Sequence, residues 1–220
     1  MVHLVVHNSV SADGRVEGFT PDIGLHYEIA ARFAADVLLA GSETILAANL
    51  DSDGPAGGGP VEDDPDDGRP LLAVVDGRGR VRTWDALRQA PHWRDRMVAL
   101  CSQATPPGYL DHLASRHVDH VVTGARHVDL RAALGELEHR YGTGRVLVDS
   151  GGTLNGVLLR AGLVDEVSLL VHPHLVDGEG NASMFRPDGP TDGVALRLAT
   201  VERLDGDVVW LRYDVVPATD

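Results

Sequence analysis

The segment from Arg145 to His174, RVLVDSGGTLNGVLLRAGLVDEVSLLVHPH, limits most strongly what this chain can fold into. A short apolar run at 146–148 leads into Gly151-Gly152, a helical pattern follows, and a second apolar run begins at Val164. Two buried strands joined through a helix form a βαβ unit, which places parallel strands under a covering layer of helices. The segment therefore predicts an α/β fold.

The pair Gly151-Gly152 has two interpretations. Glycine lets the backbone turn tightly and lets a ligand come within contact distance. The next residues, Thr153 and Leu154, open a helix whose first amides lack intrahelical partners and can bind an anion such as a pyrophosphate. The alternative is a plain turn from strand to helix, and a glycine pair alone does not decide between them.

The alternation of strands and helices continues along the chain. Strands are predicted at 2–7, 37–40, 71–75, 97–101, 118–122 and 164–171, and helices at 22–35, from Ser42 as cap, at 109–115 and at 129–141. The residues of the first helix that are predicted to face the core are Ile23, Tyr27, Ala30, Ala31 and Ala34. Asp205-Gly206 between apolar stretches predicts an antiparallel C-terminal hairpin.

Length and composition narrow the class of protein. The 220 residues are predicted to form a single domain spanning 1–220. A formal charge of -14 argues against nucleic acid or an anionic membrane as a partner. The one cysteine, Cys101, excludes an intrachain disulfide, is predicted to be buried, and suits a reducing cytoplasm. No apolar run or N-terminal pattern predicts a membrane span or signal peptide.

Polar residues follow the first predicted strand, where ligands collect in open α/β sheets. Asn8, Ser11 and Asp13 are therefore candidate site residues. The alternative is an ordinary turn, because Asp13-Gly14 is common turn chemistry and Asn and Ser favour loops through local hydrogen bonds.

Three arginines, Arg78, Arg80 and Arg82, follow the strand at 71–75. A guanidinium group offers a planar fork to phosphate oxygens, and an anionic ligand approaching an acidic chain needs a local positive potential. The alternative is a surface turn with solvated arginines.

Two further segments of the sequence have an unusual composition. Residues 51–70 are rich in Gly, Pro and Asp, which predicts a mobile acidic loop, either a solvated insertion or a lid. His172-Pro173-His174 suggests a metal site, but no cysteine or carboxylate cluster with ligand spacing surrounds it, so no metal is predicted.

The chain resembles the reductase domain of riboflavin biosynthesis, the C-terminal domain of bacterial deaminase-reductases, over residues 2–215. The resemblance rests on four motifs: Asn8-x-x-Ser11-x-Asp13-Gly14-Arg15, Gly41-x-x-Thr44, Asp76-x-Arg78, and Gly151-Gly152-x-Leu154 followed by Gly162-Leu163-Val164-Asp165-Glu166. It implies a three-layer α/β/α dihydrofolate-reductase-like fold with a mainly parallel central sheet and an antiparallel C-terminal hairpin.

The resemblance also implies an NADPH-dependent oxidoreductase that acts as a cytoplasmic homodimer on a small molecule. The residues that would contact the cofactor are Gly41, Thr44, Gly151, Gly152, Thr153 and Leu154, with Arg78 and Arg80 facing the 2′-phosphate. Asn8 and Ser11 would line the substrate side, and Asp13 would arrange proton delivery. The family pattern also allows a cis bond between Gly151 and Gly152.

The chain departs from the family pattern on the substrate side. Ser150 stands where the family has Glu, and Asp149 should point to the opposite face. The Asp-Pro and basic residue expected after Ala48 are replaced by Asn49-Leu50. Three functions therefore stay open: a 5-amino-6-(5-phosphoribosylamino)uracil reductase, a related NADPH reductase of a non-phosphorylated or pterin-like substrate, and a non-catalytic nucleotide-binding module.

Overall fold

The computed structural model describes residues 2–54, 67–176, 183–186 and 193–216. The chain divides into two compact units, one of Met1–Val2 and Ala35–Val146 and the other of His3–Ala34 and Leu147–Asp220. Most of the predicted acidic loop, residues 55–66, lies outside the described residues, so its interpretation as a lid or an insertion stays a prediction.

Nine strands and six α-helices alternate along the described residues. The strands are β1 (His3–Ser11), β2 (Val37–Gly41), β3 (Leu71–Val75), β4 (Met97–Cys101), β5 (Asp119–Val122), β6 (Arg145–Val148), β7 (Glu166–His172), β8 (Leu196–Arg203) and β9 (Val209–Val215). The helices are α1 (Ile23–Ala31), α2 (Ser42–Ala47), α3 (Trp84–Arg88), α4 (Pro107–Ser115), α5 (Leu130–Tyr141) and α6 (Gly152–Arg160). None of these helices is long and apolar enough to cross a membrane.

The first unit contains four parallel strands in the order β5-β4-β3-β2. The strands β2 and β4 are buried along their whole length, and Cys101 is buried as predicted. Burial on both faces explains why these strands are continuous apolar runs in the sequence. The helix α5 begins and ends as predicted, because Asp129 accepts a hydrogen bond from the Ala132 N–H and Gly142 takes a left-handed conformation.

The second unit contains β1, β7, β9 and β8 in that order. The strands β1 and β7 are parallel, whereas β9 is antiparallel to both β7 and β8. The predicted C-terminal hairpin is therefore confirmed, with its turn at Asp205–Asp207. Mainly parallel strands with an antiparallel C-terminal pair confirm the predicted fold class.

The strand β1 is longer than predicted. It runs to Ser11 instead of ending at His7, because Val5 through Ser11 pair in register with Glu166 through His172 of β7. Backbone pairing outweighs the weak strand propensity of Asn and Ser. Asn8 and Ser11 consequently lie within a strand, and the prediction of a polar loop at these positions was wrong.

The helix α1 is shorter than predicted and buries a different face. It ends at Ala31, and its buried residues are His26, Ile29 and Ala30, whereas Ile23 is exposed. The His26 ring is held inward by the Ser9 hydroxyl and by a ring contact with His7, which apolar periodicity cannot show. The helix α3 was missed because five residues are too few for a periodic pattern.

Two local predictions about glycines and caps also need correction. Gly41, not Ser42, is the N-cap of α2, and Ser42 is its first helical residue. No cis peptide bond occurs in the described part of the chain, and Gly151 makes its turn with an extended backbone.

His7 is a buried histidine that stays uncharged in the folded state. Burial, and next the neighbouring His26, lower its pKa to about 3. Its Nε2 faces the His26 carbonyl at 3.3 Å and therefore carries the proton, while Nδ1 lies 2.9 Å from the Ser168 hydroxyl.

We predict that His7 makes the folded state lose stability in mild acid. The unfolded chain binds a proton on His7 near pH 6.5, whereas the folded chain does not until about pH 3. The unfolding free energy should therefore fall by about 2 kcal/mol from this residue between pH 7 and pH 5. Denaturant titrations of the wild type and His7→Gln at both pH values measure this loss; His139→Gln, at an exposed helical site, is the control. An unchanged acid dependence in His7→Gln would contradict the prediction.

Candidate active site

The carboxyl end of β1 is joined to the Gly151-Gly152 turn by two buried amides. The Asn8 Nδ2 donates to the Ser150 carbonyl at 2.8 Å, and its Oδ1 accepts from the Asn155 Nδ2 at 2.8 Å. The Asn155 Nδ2 also donates to the carbonyls of Ser150 and Met184, at 3.1 and 3.0 Å. One fully buried amide in α6 thus fastens three separate segments of the second unit.

The two glycines of the turn have different surroundings. A Cβ on Gly152 would lie 2.2 Å from the Ser183 carbonyl oxygen. Farther along α6, a Cβ on Gly156 would lie 2.3 Å from the Arg186 carbonyl oxygen. The backbone at 183–186 therefore packs directly on this face of α6, and the Arg186 N–H donates to the Gly152 carbonyl at 2.9 Å. Around a Cβ on Gly151, by contrast, no described atom lies within 4 Å.

The helix α6 begins without a side-chain cap at Gly151. Its first amides are therefore the kind of group that binds an anion. Of the predicted contact residues, Thr153 is exposed, whereas the side chain of Leu154 is buried in the core. Leu154 can reach a ligand only through its backbone.

Asn8 and Ser11, predicted together on the substrate side, are not brought together. They lie on opposite faces of β1, because they are three positions apart and successive side chains of a strand alternate between its two faces. The Ser11 hydroxyl donates to Asp13 at 2.7 Å, and the Val176 N–H donates to the same carboxylate at 3.1 Å. The Ser11 hydrogen bond, followed by that of Val176, lowers the pKa of Asp13.

The buried carboxylate of Asp76, the first residue of the motif Asp76-x-Arg78, shapes the loop after β3 in the first unit. The Asp76 Oδ2 accepts the backbone N–H groups of Arg80 and Val81 at 2.7 and 2.8 Å. These two hydrogen bonds fix the turn of the arginine-rich segment. Asp76 is fully buried, so its carboxylate stabilises the loop and is not exposed to a ligand.

The three arginines of this loop have different partners. Arg82 lies over the Tyr109 ring at 4.5 Å and donates to the carbonyls of Gly79 and Val81. Arg80 reaches the start of α2, where it donates to Ser42 at 3.1 Å and pairs with Glu43 at 2.7 Å. Arg78 is exposed and has no hydrogen bond or ion pair with the rest of the described chain. Arg78 is therefore the arginine most available to an anion.

The predicted contacts Gly41 and Thr44 lie at the same place as Arg80. Gly41 caps α2 and Thr44 is in its first turn, so the Arg80 guanidinium lies against this motif. In the first unit Arg80 thus contacts Ser42 and Glu43, which stand between Gly41 and Thr44 in the sequence. Arg78 is two residues away on the same loop.

A polar cluster on the α1 side of β1 was not predicted as a site. The Tyr27 hydroxyl donates to the Asp149 Oδ2 at 3.2 Å, and the His26 Nε2 lies 3.4 Å from its Oδ1. The His26 Nδ1 lies 3.1 Å from the Ser9 hydroxyl. Burial by itself raises the pKa of Asp149, but the hydrogen bond and charge of His26, and next the hydrogen bond of Tyr27, bring it below its usual value.

The sequence offered only weak signals for the residues that were missed. Asn155 breaks an apolar helical face, and a polar residue at a core position is informative because burial demands partners. His26 stands in a helix whose apolar pattern is poor. Asp149 was noted in the sequence, but its partners come from residues more than 120 positions away.

We predict that a side chain at residue 152, but not at residue 151, disrupts this part of the second unit. Gly152→Ser would place its Cβ against a backbone carbonyl that cannot move independently, which should cost about 1–3 kcal/mol. Gly151→Ser meets open space, and serine is a favourable N-cap. Thermal unfolding of the matched pair tests this, and equal stability of the two variants would contradict the proposed close packing.

Comparison with known proteins identifies the family of this chain. The family model of the RibD C-terminal domain matches residues 2–210. A reductase of 2,5-diamino-6-ribosylamino-4(3H)-pyrimidinone 5′-phosphate from Methanothermobacter thermautotrophicus is 27% identical, over 94% of this chain and 95% of that protein.

Solved structures show the fold. Acinetobacter baumannii RibD superposes with a TM-score of 0.74 at 22% identity, covering 98% of this chain and 58% of that one. Dihydrofolate reductase from Enterococcus faecalis, in complex with NADP(H), gives a TM-score of 0.52 at 11% identity over 97% of this chain and 96% of that one. The predicted dihydrofolate-reductase-like fold is confirmed, and the chain belongs to the RibD C-terminal domain family.

Proposed function

We propose that this protein is an NADPH-dependent reductase of riboflavin biosynthesis that acts on a ribosylamino-pyrimidine 5′-phosphate. The support is membership of the RibD C-terminal domain family and likeness to a reductase of such a substrate. The observation that carries the proposal is the open space at Gly151 beside the uncapped start of α6.

Each unit by itself contains residues that the family resemblance assigns to the nicotinamide cofactor. In the second unit, the first amides of α6 at Gly152, Thr153 and Leu154 would hold the pyrophosphate, because these donors have no intrahelical partners and Gly151 leaves room for a close approach. NADPH, when bound, supplies the hydride for the reaction.

In the first unit, Arg78 would hold the 2′-phosphate that distinguishes NADPH from NADH. Its exposed guanidinium is uncommitted within the described residues, whereas Arg80 is already paired with Glu43 and would support the phosphate from the side of Gly41 and Thr44. The preference for NADPH over NADH thus depends more on Arg78 than on Arg80.

The reaction converts the ribosylamino group to a ribitylamino group, with hydride added at the sugar carbon and a proton at the adjacent heteroatom. We assign Asp13 to ordering the loop after β1, where it holds Ser11 and the Val176 N–H. A carboxyl whose pKa is lowered is ionised at neutral pH and is a poor proton donor, so Asp13 would act by position. Asn155 and Asn8 hold the Gly151 turn in place for the same chemistry.

We also propose that residues 1–220 act as a single reductase domain in the cytoplasm, since the family model spans residues of both units.

The C-terminal hairpin supports the expected homodimer. Leu196, Leu198 and Val201 pair with Val215, Tyr213 and Leu211, so all six side chains share one face of β8 and β9. Leu198 is 53% exposed and Val201 is 62% exposed. The strand β8 is also the edge of its sheet in the described chain. An exposed apolar face on an unpaired edge strand is typical of a protein interface.

We predict that the cofactor preference depends on Arg78. Arg78→Ala should raise the Kd for NADPH about tenfold, the value of one charge-assisted hydrogen bond, and leave NADH binding unchanged because NADH lacks the 2′-phosphate. Titrations that follow nicotinamide fluorescence measure both constants, with Arg140→Ala on the exposed face of α5 as the control.

The same titration tests the proposed function as a whole. If neither nucleotide binds at about 1 mM, above the usual range for such sites, the reductase proposal fails. If NADPH binds but no ribosylamino-pyrimidine phosphate oxidises it, measured at 340 nm, a non-catalytic nucleotide-binding module is favoured instead.

We predict that the hairpin face holds the dimer together. Val201→Glu places a charge on the apolar face and should give a monomer, whereas Thr200→Glu, on the opposite face of the same strand, should remain a dimer. Size-exclusion chromatography with light scattering distinguishes the two. A monomeric wild type, or a dimeric Val201→Glu variant, would contradict the proposed interface.

A further inference from the structure

Asp149 accepts longer hydrogen bonds from the described residues than two other enclosed carboxylates, Glu166 and Asp53. Glu166, 7% exposed, accepts from Arg212 at 2.5 and 3.0 Å. Asp53, 1% exposed, accepts the Asp85 N–H at 2.8 Å and lies 2.9 Å from the His112 Nε2. Asp149, 21% exposed, has its nearest donors among the described residues at 3.2 and 3.4 Å.

The Asp149 carboxylate can accept more hydrogen bonds than the described residues donate to it. Two oxygens offer about four acceptor positions, and charge-assisted hydrogen bonds are usually about 2.7–2.9 Å long. The hydrogen bonds and charges around Asp149 outweigh the effect of burial and lower its pKa, so the group is ionised at neutral pH. Enclosing a charge without full partners costs free energy unless a ligand supplies the missing donors.

The surroundings of Asp149 suit a flat heterocycle. Asp149 directly follows β6 and stands two residues before Gly151, at the carboxyl end of a strand where α/β folds bind ligands. The Tyr27 ring is close to Asp149, because the Tyr27 hydroxyl donates to this carboxylate. His172, buried on the same side, has an Nε2 with no partner in the described ranges, and its ring lies 5.5 Å from that of Phe19.

The missing donors define the class of ligand. A carboxylate binds best to two parallel N–H groups in one plane. A 2-aminopyrimidin-4-one ring presents such a pair, its ring N3–H and the exocyclic amino group. A uracil ring has a carbonyl in place of that amino group, so an acceptor would face the carboxylate.

We propose that Asp149, held by His26 and Tyr27, binds the 2-amino and N3–H edge of an aminopyrimidinone substrate and makes the enzyme prefer this ring to uracil. The reaction to which this preference applies rests on the proposed function. The related archaeal reductase is named for a 2,5-diamino-pyrimidinone, whereas the family resemblance by itself suggested a uracil substrate.

The preference for one ring over the other can be measured with the 220-residue chain and NADPH. We expect kcat/KM to be at least about tenfold higher for 2,5-diamino-6-ribosylamino-4(3H)-pyrimidinone 5′-phosphate than for the corresponding uracil, since unpaired acceptors at a polar site are strongly rejected. Asp149→Asn should lower kcat/KM for the pyrimidinone about 10- to 100-fold and change that for the uracil less than about threefold.

Two further variants separate recognition from folding. Glu166→Gln removes another enclosed carboxylate of the same unit and should lower stability without changing the substrate ratio. Tyr27→Phe keeps the ring and removes the hydroxyl that orients Asp149, and it should raise KM for the pyrimidinone alone. Tyr27→Phe tests the proposal even if Asp149→Asn does not fold.

A binding experiment makes this proposal independent of turnover. Calorimetric titration with 2,5,6-triaminopyrimidin-4-one and 5,6-diaminouracil compares two bases that differ only at ring position 2. Tighter binding of the first to the wild type, lost in Asp149→Asn, supports the proposal even if neither nucleotide substrate is reduced. An active enzyme with an equal preference in the wild type and Asp149→Asn would overturn the role of Asp149 and leave the reductase function intact.

Discussion

The parallel pairing of β1 with β7 is the constraint on which the second unit depends. It runs in register from Val5 with Glu166 to Ser11 with His172. Because side chains alternate across a strand, this register sends His7 and Ser9 to the α1 side and Asn8 to the side of α6. A slip of one residue would exchange the two sets and leave their polar groups without partners.

The two faces of β1 use polar groups in different ways. On the α6 side, Asn155 uses one buried amide to hold Asn8, Ser150 and Met184, so its hydrogen bonds fix the backbone. On the α1 side, the described residues give Asp149 two long contacts, at 3.2 and 3.4 Å. The N–H groups of Asn155 are all used within the described chain, although its buried Oδ1 has no partner there. The Asp149 carboxylate is instead ionised and has only long contacts to the described residues, and this difference separates a mainly structural network from a candidate binding site.

The arginines of the loop after β3 in the first unit likewise differ in their partners. The arginines of one loop were equivalent in the sequence, but Arg82 stacks on Tyr109, Arg80 pairs with Glu43, and Arg78 remains exposed. The buried Asp76 shapes the loop that carries all three. In a protein with a net charge of -14, a single available guanidinium can determine where a phosphate binds.

The sequence by itself determined the α/β class, most strand positions, the α5 caps and the C-terminal hairpin, because these follow from local periodicity, glycine and capping chemistry. It also marked Gly151-Gly152 and the arginine loop as candidate contacts, although their roles stay predictions. Only the tertiary structure decided that Asn8 and Ser11 face opposite ways, that Gly152 is needed for its own chain at 183–186, and that Asp149 meets His26 and Tyr27. These facts depend on strand register and on contacts between residues distant in sequence, which no local pattern encodes.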